Sequence, residues 1–151
     1  MRLESVSQEQ YGSEYETAVL EQWKTCVEMA NCNTEKRNNS NNIYISINSA
    51  IFAVITYTLN YKSILLSIIG IFICVLWINS INSYKKLSSV KYHIINEIEA
   101  KLPLAPFAYE WEKLKNEQKY KKLTKTEKRL PGLFIALYSI LFICQLYFYF
   151  H

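Results

Sequence analysis

Hydrophobic and polar positions along this chain are sorted into blocks instead of being interleaved. Between Asn38 and Tyr84 the one charged residue is Lys62, and between Gly132 and Phe150 there is none. An amphipathic helix of a soluble protein carries charge along its solvent face; these runs do not. Ile43–Leu59 gives 17 largely apolar residues and Ser63–Ile81 gives 19. As helices they reach about 25 and 28 Å, close to the roughly 30 Å of a bilayer's hydrocarbon. Gly132–Phe150 supplies a third run of similar reach. Residues 42–82 therefore read as a transmembrane hairpin turning at Asn60-Tyr61-Lys62, and 132–151 as a third transmembrane helix. Residues 1–41 read as a cytoplasmic N-terminal helix and 83–131 as a cytoplasmic helical segment. The pattern predicts an all-α integral membrane protein of three transmembrane helices, the first two a hairpin extended into a cytoplasmic helical bundle.

Outside the apolar runs the period is helical. "SEYE" at Ser13–Glu16 has the form of a capping box, and Tyr15, Val19, Trp23, Cys26 and Ala30 follow on one side. No proline interrupts residues 14–60, so one helix can continue into the first span. The Asn-rich stretch 38–42 offers a place for a break. Leu87, Val90, Ile94, Ile98 and Leu102 recur at three- and four-residue steps, an apolar stripe suited to packing. "LPLAP" stops that helix at Pro103 and Pro106, and a further helix is expected from Pro106 to Lys122. Pro103 and Pro106 set the reversal, and Trp111 is the expected anchor of the second helix. "TKTE" at Thr124–Glu127 reads as a second capping box, with Pro131 and Gly132 kinking the chain into the last span.

Charge supplies the orientation. All 13 acidic residues are Glu, and all lie outside the apolar runs. Segment 82–131 holds twelve of the 17 basic residues, and Lys36, Arg37, Lys85, Lys86, Lys128 and Arg129 flank the spans. The positive-inside rule then places the N-terminus and segment 82–131 in the cytoplasm and the C-terminus outside. Tyr147, Phe148, Tyr149 and Phe150 would form an aromatic belt at the outer interface. The overall mean hydropathy of −0.03 hides this segregation. Abundant Asn, Ile, Lys and Tyr with scarce Gly and Pro point to an AT-rich, bacterial coding sequence. The first 37 residues are polar and show no signal peptide.

Polar groups within the spans follow their own period. Asn42, Ser46, Ser49, Ala53, Thr56 and Asn60 share one face of the first span, and Ser63, Ser67, Gly70 and Cys74 one face of the second. Small residues let membrane helices approach closely, so these are candidate packing faces, placed to meet across the hairpin. Lining a water-filled path in an assembly is the alternative. Asn48 and Gln145 also fall inside spans and are expected to face protein. No Asp, Glu, Lys, Arg or His lies deep in a span, which argues against a proton relay or an ion-coupled transporter.

Catalytic signatures are missing. There is no Gly-rich phosphate loop, zinc pattern or nucleophile elbow. Cys26, Cys32, Cys74 and Cys144 lack metal-ligand spacing and read as small hydrophobes or idle thiols. Glu97 and Glu99, like Glu110 and Glu112, lie two apart and point in different directions on a helix. The chain is expected to be no enzyme and to need no cofactor. The basic run before the last span suits anionic lipid headgroups, and no nucleic-acid partner is expected.

The block "SYKKLSSVKYHIINEIEAKLPLAPFAYEWEKL", Ser83–Leu114, resembles the signature of the RipA family of octameric membrane proteins. The residues that carry the likeness are Lys91, Glu97, Glu99, Leu102, Pro103, Pro106, Phe107, Glu110 and Trp111. "YKKLTKTEKRLPGLF" is similar to the same family's tail, through Tyr120, Leu123, Thr124, Glu127 and Pro131, and the N-terminal stretch around Arg37 has its character. The resemblance implies a homo-oligomer, an octamer, in a bacterial inner membrane, with no catalytic residue to carry over. It makes Lys91, Glu97, Glu99, Pro103, Pro106, Glu110 and Trp111 candidate assembly residues. More distantly, the layout resembles SLATT-type effectors of antiphage systems, a likeness of arrangement without shared motifs. The expected function is a membrane-permeabilising or pore-forming antiphage effector, with a non-catalytic scaffold or adaptor for a cytoplasmic partner as the alternative.

Overall fold

The computed structural model describes residues 3–58, 63–116 and 123–150. They form six helices: α1 (Gln8–Tyr11), α2 (Tyr15–Thr58), α3 (Ile64–Glu99), α4 (Pro106–Asn116), α5 (Leu123–Glu127) and α6 (Arg129–Phe150). No strand occurs among the described residues. The hairpin turn expected at Asn60-Tyr61-Lys62 lies outside them. Two stretches are long and apolar enough to cross a bilayer, Ile64–Glu99 and Leu123–Tyr147. α2 is not in that class; Asn41, Asn42, Ser46, Asn48 and Ser49 dilute its apolar half.

α2 holds 44 residues and α3 holds 36, so they run roughly 66 and 54 Å. The expected opening for a break at 38–42 is not taken. Ser40 pairs with Ser80 at 3.4 Å, and Asn41 Oδ1 accepts from Trp77 Nε1 at 2.8 Å. Side chains that would otherwise compete for the local backbone are thus engaged by α3, and weak helix propensity is overridden by tertiary contact.

Neither expected capping box forms. α2 begins at Tyr15 and the Glu14 carbonyl accepts from Ala18 N–H at 2.9 Å, so Ser13 sits too early to cap. Thr124 and Glu127 lie within α5, where both bond Arg37 instead. Pro131 falls in the first turn of α6, where a missing N–H breaks no intrahelical bond.

The chain divides into two compact units, Met1–Glu35 with Lys86–Tyr120 and Lys36–Lys85 with Lys121–His151. In the first, Ala30, Ile95 and Ile98 are buried, and Asn33 Nδ2 donates to Ser88 Oγ at 2.9 Å. α3 ends by tightening: Lys101 N–H bonds Ile98 and Leu102 N–H bonds Glu99 through i→i−3 contacts of 3.0 and 2.9 Å. Leu102 precedes Pro103, a position that disfavours helix, and Pro106 restarts helix at the first position of α4, where proline fits.

In the second unit the usual polarity is inverted. Ser63, just before α3, is buried; α3 buries Ser67, Gly70, Cys74, Trp77 and Ile81 and exposes Leu65, Ile68, Ile69, Phe72, Val75 and Leu76. α6 buries Pro131, Tyr138 and Gln145 at seven-residue steps and exposes Leu133, Ile140 and Ile143. Ile55, Cys74 and Tyr138 form the core, packed by Ile51, Phe52, Leu66, Ile71, Phe134, Ile135 and Leu141.

Candidate functional site

A ladder of buried polar contacts links α2, α3 and α6 within the second unit. Thr58 and Ser63 hydroxyls lie 2.7 Å apart. Next, Ser67 Oγ donates to Gln145 Oε1 at 2.9 Å, both side chains fully buried. Asn48 is the central rung. Its Oδ1 accepts from Cys74 Sγ at 3.2 Å, its backbone carbonyl accepts from Tyr138 OH at 2.8 Å, and its Nδ2 donates to the Tyr44 carbonyl at 2.8 Å. Beyond it, Trp77 stacks on Tyr44 with centroids 5.7 Å apart and donates to Asn41. At the end of the ladder Arg37 pairs with Glu127 and donates to Thr124 Oγ1 at 3.1 Å, with both charged side chains largely buried.

Polar groups in an apolar surrounding must find partners inside the protein, and the ladder supplies them for Ser67, Asn48, Cys74 and Tyr138. Its closest approach is at Gly70. A Cβ there would lie 2.5 Å from Tyr138 Cζ, so the Tyr138 ring, fixed through its hydroxyl, leaves room only for hydrogen. Gln145 Nε2 and Arg37 Nε are buried without a protein partner.

Among the described residues, the two small-residue faces expected from the sequence do not meet each other. The α3 face of Ser63, Ser67, Gly70 and Cys74 is buried against Thr58, Asn48, Gln145 and Tyr138. On α2, Asn42, Ser46, Ser49 and Ala53 are exposed. Thr56 is half-buried and donates to the Phe52 and Ala53 carbonyls, both at 3.0 Å. Asn60 lies outside the described residues. Ile43, Ile47 and Val54 are also exposed. At 100° per residue these occupy a strip beside the polar one, so the uncovered face of α2 is half polar and half apolar.

The seven candidate assembly residues belong to the first unit and have differing surroundings. Glu99 is 1% exposed, and its two carboxylate oxygens accept from Phe107 N–H at 3.3 Å and Ala108 N–H at 3.2 Å. It caps the unsatisfied donors at the start of α4 from eight residues back. Glu97 is exposed beside His93 Nε2 at 3.2 Å, and Lys91 is half-buried. Pro103, Pro106 and Glu110 are exposed. Trp111, expected to anchor α4, is 44% exposed with Lys115 Nζ 5.6 Å from its ring centre. The anchor is instead Phe107, whose ring lies 6.1 Å from Trp23 and 5.9 Å from Tyr92.

Sequence reading also passed over a cavity of about 450 Å³ in the first unit, lined by Leu3, Val6, Tyr11, Val19, Cys26, Ile94 and Ile98 among others. Glu4 closes its edge, accepting from Lys101 Nζ and from Tyr15 OH at 2.9 Å. Those hydrogen bonds, Lys101 first, hold the Glu4 carboxyl below its ordinary range, and Glu4 raises Lys101. Among the described residues no three His, Cys, Asp or Glu side chains gather as a metal site.

The model of the octameric membrane protein family (8xMP) matches residues 20–147, most of the chain, and the chain belongs to that family. No curated protein and no solved structure matches it.

Proposed function

We propose that this member of the octameric membrane protein family is a non-catalytic effector whose assembled copies open a path through a bacterial inner membrane. The less apolar half of α2 serves as a third membrane helix, beside the apolar parts of α3 and α6. The N-terminus and segment 83–131 lie in the cytoplasm as a helical bundle, and the C-terminus lies outside. Basic residues flanking the spans favour this orientation. The antiphage setting rests on the layout shared with SLATT-type effectors.

One observation carries the reading. From Ile64 to Ile78 the exposed side chains of α3 are apolar, while α2 leaves Ser46 and Ser49 uncovered on a polar half-face. A polar strip against lipid tails is unfavourable. In an assembly it turns toward neighbouring copies and the water between them, while Ile43, Ile47 and Val54 meet lipid or protein.

The test is dye and ion leakage from liposomes holding the purified protein, comparing wild type with Ser49→Leu. Leakage lost in the variant with its oligomer intact supports the path. A wild-type protein that assembles and never leaks sinks it. The alternative, a scaffold holding a cytoplasmic partner at the membrane, draws on the open cavity of the first unit and would then be favoured.

A further inference from the structure

The cavity of the first unit is elongated, with an apolar floor and a polar end. On α2, Tyr15, Ala18, Val19, Gln22 and Cys26 lie along it, and Tyr15 and Cys26 stand about 16 Å apart on the helix. On α3, Ile94, Ile98 and Lys101 lie along it. At one end Tyr15 OH and Lys101 Nζ both donate to a single oxygen, Glu4 Oε1. That end is wet, since the side chains of Lys101 and Glu4 are 35% and 54% exposed. The floor is drier: Ile98 is buried, and Ala18, Val19, Cys26 and Ile94 are half-buried. Apolar side chains that face open space forfeit dispersion contacts on that side. The volume of about 450 Å³ falls within the roughly 300–1,000 Å³ of small-molecule sites, which pair apolar walls with a few polar groups.

We propose that this cavity binds a single-chain fatty carboxylate, with its chain along Val19, Cys26, Ile94 and Ile98 and its carboxylate in the place of Glu4 on Lys101 Nζ and Tyr15 OH. Glu4 itself displays the fit, because two donors from different helices converge on one carboxylate oxygen at the mouth. Glu4 is thereby the ligand's competitor. Lys101 is the one cation among the described lining residues. The other lining carboxylate, Glu21, pairs with Lys24 at 2.7 Å and lies roughly 9 Å along α2 from Tyr15. A wholly polar ligand would gain nothing from the floor, and a wholly apolar one nothing from Lys101. An amphiphile meets both, its head at the wet end and its chain out of water. The site is independent of the proposed membrane path, since every lining residue belongs to the first unit.

The experiment follows maleimide labelling of Cys26 in the full chain in membranes, with Cys32 and Cys144 replaced by serine and laurate as the probe. Laurate is expected to slow the labelling. Cys32 lies outside the lining; kept as the reporter in place of Cys26, it is expected to label at one rate with and without laurate. Lys101→Met is expected to raise the laurate concentration needed for protection by about threefold or more, and Lys101→Arg to restore it. Dodecanol, with the same chain and no charge, is expected to protect wild type and Lys101→Met alike. Cys26 labelling that ignores laurate overturns the site, and equal slowing at Cys32 does the same by showing a membrane-wide effect. A Lys101→Met shift that dodecanol shares comes from a loosened N-terminal wall and overturns the carboxylate contact. If the Lys101 variants fail to fold, Val19→Trp, which fills the floor, decides instead: lost protection supports the site, and retained protection rejects it.

Discussion

In the second unit Ser67, Asn48 and Gln145 are at most 1% exposed, while Leu65, Phe72 and Ile143 are 62 to 65% exposed. In the first unit Ile95 is fully buried and Ile98 nearly so, while Glu16, Glu28 and Glu35 on α2 are exposed. The same two helices contribute to both units, yet they turn opposite kinds of side chain outward. The first unit follows the rule for water, where apolar burial drives packing. The second follows the rule for lipid, where apolar side chains gain little by hiding and helices associate through close approach and hydrogen bonds. Gly70 against Tyr138 is the close approach, and Asn48 with Cys74 and Tyr138 is the hydrogen-bonded centre.

The ion pairs of the two units sharpen the contrast most. Arg37 and Glu127 have side chains 11 and 14% exposed, whereas Lys24 and Glu21 are 52 and 63% exposed. Arg37→Met leaves a buried carboxylate uncompensated and is expected to destabilise the protein by about 3–5 kcal/mol. Lys24→Met is expected to cost less than about 1 kcal/mol. Unfolding in a mild detergent, followed by helix signal, measures both. Arg37→Met combined with Glu127→Leu is expected to recover most of the loss, because no buried charge is then left alone. Equal effects of the two single variants would erase the distinction between the units.

A smaller effect belongs to the first unit alone. Glu4 is held below its ordinary 4.5 and Lys101 above its ordinary 10.5. A lowered carboxyl contributes stability above its ordinary value and loses it as pH falls through the lowered one. A raised amine contributes below its ordinary value and loses it as pH rises through the raised one. Fastening of the N-terminal segment is therefore complete between pH 4.5 and 10.5 and weakens outside that window. Relative to its intrinsic rate, hydrogen exchange at residues 3–11 is expected to quicken below the acid edge in wild type. In Glu4→Gln it is expected to be fast already at neutral pH. A pH-independent wild type would remove the pair as the fastener.

Local pattern carried much of this fold. The steps of Ser63, Ser67, Gly70 and Cys74 mark the buried side of α3, and Asn48 and Gln145 stand out as polar groups that need protein partners. The proline pair breaks the chain between α3 and α4. Partners distant in sequence were hidden: Arg37 and Glu127 are 90 residues apart, and no local period links them. For the same reason Thr124 and Glu127 read as a cap when their hydrogen bonds go to α2. Trp111 drew attention by size, but Phe107, one turn earlier, is the residue that reaches Trp23 and Tyr92. The lack of proline over residues 14–60 already allowed one continuous α2, but the choice against a break at 38–42 was hidden, because Ser40 and Asn41 favour local backbone bonds until α3 offers them Ser80 and Trp77.

The most direct measurement labels one introduced cysteine at a time, beside the buried Cys74, in the assembled protein in membranes with a water-soluble, membrane-impermeant maleimide. Ser49→Cys would report the uncovered polar strip of α2 and Phe72→Cys the uncovered apolar face of α3, with Cys26, Cys32 and Cys144 replaced by serine. The account predicts rapid labelling at residue 49 and none at 72 until the membrane is dissolved. Labelling at 72 as fast as at 49 would contradict it, because α3 would then face water and the inverted polarity of the second unit would have no lipid to explain it.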